Sequence, residues 1–258
     1  MLAATGAIGA LPARAGNQAD PGYGPGLPSS KRLKMAFVLY PDMTLLDLIG
    51  PQQTLNFLPN VESHLVYVDK RTIVTDSGVH IVPTTTYSAC PDDLDVLLVP
   101  GAGKGTIGAL QDPALMAFVA ERGKTARYVT SVCTGSLILG AAGLLNGYRA
   151  SSHWLVRDLL PVFGATAVNQ RVVHDRNRVT GGGVTAGIDF GLALAAILRG
   201  EQTAKMAQLA LEYDPAPPFD AGSPEKAGEE LVNLVRKKAV FAQELHDIYG
   251  NGKLPTSR

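Results

Sequence analysis

Across 258 residues the chain carries 23 lysines and arginines against 23 aspartates and glutamates, so its formal charge is zero, and no basic stripe suggests a nucleic-acid partner. Hydrophobic residues make up 46% and charged residues 18%, which excludes a disordered chain, while two cysteines, Cys90 and Cys133, exclude a disulfide framework. Beyond the N-terminal segment no stretch reaches the roughly 18 uninterrupted apolar residues of a membrane span, so a membrane is not an expected partner either.

Residues 1–30 are read as outside the fold, either a disordered Ala/Gly extension or a signal remnant. Leu2 to Leu11 is apolar, Pro12-Ala13-Arg14-Ala15 resembles a cleavage site, and Gly/Pro-rich sequence follows. The first reading places the protein in the cytoplasm, and the second would export it to the periplasm. From residue 31 to 213 one domain follows. Lys34–Tyr40 is a buried strand, Pro41-Asp42 a turn, and Thr44–Phe57 alternates at helical spacing. Ser63–Val68 and Arg71–Thr75 are short strands. Asp95–Pro100 is a continuous apolar run, as expected of a central parallel strand, and it ends in Gly101-Ala102-Gly103-Lys104-Gly105. Pro113–Arg122 is a helix, Tyr128–Val132 a strand leading to Cys133, and Trp154–Phe163 a further helix. Val172–Asp175 and Arg178–Thr180 form a hairpin around Arg176-Asn177, and Ala186–Leu198 and Thr203–Glu212 are helices. Residues 214–258 form a Pro-rich arm and a helix from about Pro224 to Tyr249, laid either on a partner subunit or on the chain's own domain. Strands alternating with helices predict an α/β sandwich with a mostly parallel central sheet.

In such sheets sites form beyond the carboxyl ends of the strands. Pro41–Asp47, Gly101–Gly105 and Cys133-Thr134 all arrive there. Cys133, at the turn between a strand and a small-residue helix, has the setting of a nucleophile elbow, where the positive end of the helix favours thiolate over thiol. The alternative is an inert thiol at the end of a core strand. Asp47, an acid within the otherwise apolar Leu45-Leu46-Asp47-Leu48-Ile49, is either a proton carrier or a buried structural group. The Thr134 N–H and the amides of Gly101, Ala102 and Gly103 are candidate anion donors, although a glycine loop is also simply a tight turn. His153 and Trp154 are candidate pocket residues. His153 reads equally as the histidine of a Cys-His pair or as a helix-start residue bonded to backbone, and His174 as solvated. No histidines and carboxylates cluster at metal-ligand spacing, so no metal is expected.

Leu46-Asp47-Leu48-Ile49-Gly50-Pro51, Val99-Pro100-Gly101-Ala102-Gly103, Ser131-Val132-Cys133-Thr134-Gly135-Ser136, Ala150-Ser151-Ser152-His153-Trp154 and Thr180-Gly181-Gly182-Gly183-Val184-Thr185-Ala186-Gly187-Ile188-Asp189 resemble, in that order, the DJ-1/PfpI superfamily. The tail from Glu212 to Pro224 is similar to its isonitrile hydratase branch. The resemblance implies a flavodoxin-like fold, a small-molecule substrate, no cofactor and a homodimer. It also implies hydration of an isonitrile through a thioimidate on Cys133, with Asp47 handling protons and Thr134 holding the intermediate. Two departures stand out: Thr134 occupies the position where PfpI-type peptidases carry histidine, and Ala102 replaces a glycine common in relatives. The competing expectations are glyoxalase- or deglycase-like chemistry on small carbonyls and a non-catalytic redox or ligand sensor. Transcription regulators also carry these motifs, but the roughly 45 residues after the domain are too few and not basic enough for paired helix-turn-helix modules.

Overall fold

The computed structural model describes residues 23–252. In chain order they form β1 (Leu33–Val38), α1 (Leu45–Leu55), β2 (Val61–Tyr67), β3 (Ile73–Val74), β4 (His80–Ile81), β5 (Thr85–Thr86), β6 (Val96–Val99), α2 (Gly105–Gln111), α3 (Pro113–Thr125) and β7 (Tyr128–Val132). There follow α4 (Gly135–Ala141), β8 (Arg149–Ala150), β9 (Thr166–Ala167), β10 (Val172–Asp175), β11 (Arg178–Gly181), α5 (Ala186–Arg199) and α6 (Glu201–Ala210). The C-terminal arm adds α7 (Pro224–Ala227), α8 (Glu229–Lys238) and α9 (Val240–Tyr249).

Seven strands make one sheet in the order β10-β11-β7-β6-β1-β2-β5, parallel throughout except for the β10–β11 hairpin at its edge. The central β6, Val96-Leu97-Leu98-Val99, is wholly buried, because a parallel strand covered by helices on both faces leaves no side for water. One layer is built on α1, α5 and α6, and the other on α2, α3 and α4. Phe37, Leu97, Leu98, Val129, Val132 and Leu194 meet between them without solvent exposure, each burial contributing roughly 1.5–3 kcal/mol. Register fixes the site: Val99 pairs with Ser131 and Gly181 with Val132, so β6, β7 and β11 end level with one another.

Three elements differ from the sequence reading. The helix expected over Trp154–Phe163 is a 3-10 segment over Arg157–Phe163, with Pro161 inside it and therefore one backbone donor fewer. The single C-terminal helix is three, broken at Gly228, whose φ of 80° no helix accepts, and at Ala239 (φ −83°, ψ 66°). Finally, residues 23–30 are not outside the fold. The buried Arg199 guanidinium donates to the carbonyls of Leu27 (3.2 Å), Pro28 (2.7 Å), Lys31 (2.5 Å) and Pro59 (3.1 Å), tying that segment to the end of α5. The cleavage-site motif at 12–15 lies outside the described residues. No helix among the described residues is long and apolar enough to cross a membrane.

Candidate active site

The chain turns sharply at Cys133, where φ is 59°, a left-handed conformation that costs a non-glycine residue about 1–3 kcal/mol. Hydrogen bonds hold that strain in place. The Cys133 N–H donates to the carbonyls of Gly182 (2.7 Å) and Gly181 (3.1 Å), and its own carbonyl accepts from the hydroxyls of Ser136 and Ser152, both at 3.1 Å. The side chain is buried, and both cysteines are free thiols.

Asp47, in the first turn of α1, is fully buried beside it. Its Oδ2 accepts the Gly101 N–H at 3.0 Å, while Oδ1 has no hydrogen-bond partner among the described residues. Burial raises the Asp47 pKa to about 7, although hydrogen bonds from Cys133 and from the Gly101 amide pull the other way. The Cys133 thiol is also pushed well up, first by burial and then by the Asp47 charge; the Thr134 N–H and hydroxyl oppose this. Burial and the neighbouring carboxylate thus work against the thiolate that the start of the seven-residue α4 favours. Near neutrality the pair rests as a thiol against a carboxyl poised between its two states.

The glycine loop does another job than the one its composition suggests. The Gly101 amide holds Asp47, and the Ala102 amide donates to Thr134 Oγ1 at 2.8 Å, so both are engaged before any ligand arrives. The Thr134 hydroxyl also bonds the Ala102 carbonyl (2.8 Å) and lies 2.6 Å from that of Thr106, beneath the elbow. Gly103 lies further along, where a Cβ would sit 3.6 Å from Phe241 of α9.

A Cβ on Gly101 would meet the Thr134 nitrogen at 2.6 Å, and Asp47 Oδ2 and the Cys133 Cβ at 2.7 Å each. The bare backbone therefore keeps acid and thiol in contact. We expect Gly101→Ala to cost at least about 100-fold in turnover and about 1–3 kcal/mol in stability, checked by steady-state kinetics and urea unfolding.

His153 is not brought to the sulfur as a partner. Its ring lies against Gly183, where a Cβ would be 3.0 Å from Cδ2, and its Nδ1 accepts the Leu155 N–H at 3.3 Å. Burial, with help from the Arg157 charge, lowers its pKa to about 4, which favours the neutral ring. With Trp154 it lines a cavity of about 350 Å³.

Sequence reasoning passed over Tyr40, Thr106 and Ser152. Tyr40 is buried, donates to the Pro100 carbonyl at 2.7 Å, and feels the charges of Asp47 and Cys133, which add to burial in raising its pKa. Its position just beyond β1, on the edge where the loops converge, was the available signal.

A cysteine strained at the carboxyl edge of a parallel sheet, with a buried acid beside it, defines a nucleophile-elbow α/β protein of the flavodoxin-like kind. The DJ-1/PfpI family model matches residues 33–197, and the chain belongs to that family. It is 51% identical to the isonitrile hydratase of Pseudomonas putida over 213 residues, which is 83% of this chain and 92% of that protein. The regulator GbdR of Pseudomonas aeruginosa is 31% identical over 67% of this chain, a match that spans only 49% of the regulator. The crystal structure of a ThiJ/PfpI family protein from Pseudomonas syringae superposes with a TM-score of 0.79 at 46% identity, covering 88% of this chain and 97% of that one.

Proposed function

We propose that this protein is an isonitrile hydratase, converting an isonitrile and water to an N-substituted formamide. The observation that carries this reading is the buried Asp47 carboxyl set beside the Cys133 thiol, with no side chain at Gly101 to part them. The 51% identity to a protein of that activity supports it.

The sulfur of Cys133 bonds to the terminal isonitrile carbon, and that same carbon takes a proton, giving the thioimidate R–N=CH–S. The thiol proton and the Asp47 proton are the available supply, and Asp47 Oδ1 has no hydrogen-bond partner among the described residues. Ionised Asp47 then takes a proton from water as the water oxygen adds to the carbon, and it passes that proton to the nitrogen; the new hydroxyl later gives its own proton back to sulfur. The C–S bond breaks, its electron pair leaves with sulfur, and the thiol is restored as R–NH–CHO departs. The Thr134 N–H steadies the sulfur as charge comes and goes.

The test is incubation of a simple alkyl isonitrile in ¹⁸O-labelled water. Formamide carrying the label in its formyl oxygen is the expected product. No formamide from any isonitrile, with lactate formed from methylglyoxal instead, would move the assignment to carbonyl chemistry. The same reading holds the enzyme to be a homodimer, supported by the apolar stripe Leu231, Leu234 and Val235 that α8 leaves exposed; light scattering at twice 27.1 kDa is the expected result.

A further inference from the structure

A cavity of about 350 Å³ abuts the backbone partners of Cys133. Ser152 and Gly182, which bond the Cys133 carbonyl and N–H, form part of its wall. Its lining contains two arginines, Arg157 and Arg171, and no carboxylate. Their surroundings are unequal. Arg171 is held by Asp189 at 2.5 Å and by the Thr185 hydroxyl at 3.1 Å. Arg157 is half-buried on the 3-10 segment, and its guanidinium has neither a hydrogen bond nor an ion pair with any described residue.

Neither of the two nearby carboxylates forms an ion pair with Arg157. Asp158 pairs with His246 of α9 at 3.1 Å. Glu225, on the arm, feels the Arg157 charge but accepts from the Asn169 side chain at 2.9 Å. His153, neutral beside it, adds no competing charge. A cation partly removed from water without a counter-ion is costly unless something supplies the missing charge. Arginine presents a planar fork of donors that matches a carboxylate.

We propose that Arg157 is a substrate-binding residue and that the favoured substrates are isonitriles whose N-substituent ends in a carboxylate. This rests on the hydratase reading and names the substrate class of that same site. The isonitrile carbon sits at Cys133 while the carboxylate replaces solvent at Arg157, inside a cavity whose fixed charge is positive. The neutral part of the chain passes Gly183 and the His153 ring.

The experiment compares kcat/KM for isocyanoacetate and its longer ω-isocyano homologues with that for their methyl esters, at low and high salt. Wild type is expected to favour at least one acid over its ester by about tenfold or more, with the advantage shrinking as salt screens the pair. Arg157→Gln should bring the acid-to-ester ratio close to one, chiefly through KM for the acid. Arg157→Lys should restore part of it, and Arg149→Gln, at an exposed position outside the cavity, should keep the wild-type ratio. Because ester turnover by the same preparation reports folding, a misfolded variant cannot imitate the result. Esters turned over as well as or better than every acid, or a ratio unchanged in Arg157→Gln, would overturn the proposal while leaving the hydratase reading intact. Turnover of neither acids nor esters would overturn both.

Discussion

Cys133→Ser is expected to retain no more than about one thousandth of wild-type formamide formation, with its fold intact. The exchange keeps the size of the side chain and its place in the Gly181–Gly182 and Ser136–Ser152 hydrogen bonds, which are made by the Cys133 backbone and not by its sulfur. What it removes is polarisability and acidity. Even the thiol is held protonated here by burial and by Asp47, and an alcohol in the same place, several pH units less acidic in water, is further from ionisation. The loss should fall on kcat, because the carbon–sulfur bond exists only after binding. Acid-quenched wild-type enzyme should carry a mass increment equal to one isonitrile on the peptide containing Cys133. A serine variant with a tenth or more of wild-type turnover would remove the covalent step from the mechanism, and an increment found on Cys90 instead would reassign it.

How far the sequence foretold this arrangement depended on whether each residue's role was local. Cys133 stood out by its place at a strand-to-helix turn and Asp47 as an acid among apolar neighbours, and both prove to be buried at the carboxyl edge of the sheet. The parallel core was legible because β6 is apolar without interruption and strands alternate with helices along the chain. Charge state was not legible. A helix start after Cys133 favours thiolate, but the opposing terms, burial and the Asp47 carboxyl, come from α1 and from the layer packed above, both remote in sequence. The same holds for the amides of Gly101 and Ala102. A glycine-rich loop looks like a set of free donors until its partners are known, and here Asp47 and Thr134 take them. Thr106 and Ser152 were invisible because small hydroxyl residues near strand ends are common and their bonds, to Thr134 and to the Cys133 carbonyl, are tertiary. The break of the C-terminal helix at Gly228 is the opposite case: a local signal was present and outweighed by the length of the amphipathic pattern on either side.

Asp47→Asn separates catalysis from stability, with opposite signs. The folded pKa of about 7 lies above the 3.8 of an ordinary aspartate, so between those values the native protein holds a proton that the unfolded chain has released. Stability therefore falls as pH rises from about 4 to about 7, and above that the full cost of burying the charge is present. Asparagine keeps the shape and can still accept the Gly101 N–H, but carries no charge. The variant should therefore be more stable than wild type at pH 8, by a margin on the order of a few kcal/mol that fades towards pH 4. Turnover should nevertheless fall by about 100-fold or more, because no group remains to take the proton from water. If the loss lies mainly in that second step, the thioimidate should accumulate, and the quenched variant should show more adduct on Cys133 than wild type does. The wild-type pH–rate profile should bend near 7, and the variant should lack that bend. Equal stability of the two proteins at pH 8 would mean that the carboxyl is not held neutral by its burial. Unchanged turnover would mean that water is activated by another group, and Tyr40, the remaining buried titratable side chain within electrostatic reach of both Asp47 and Cys133, would be the next to replace.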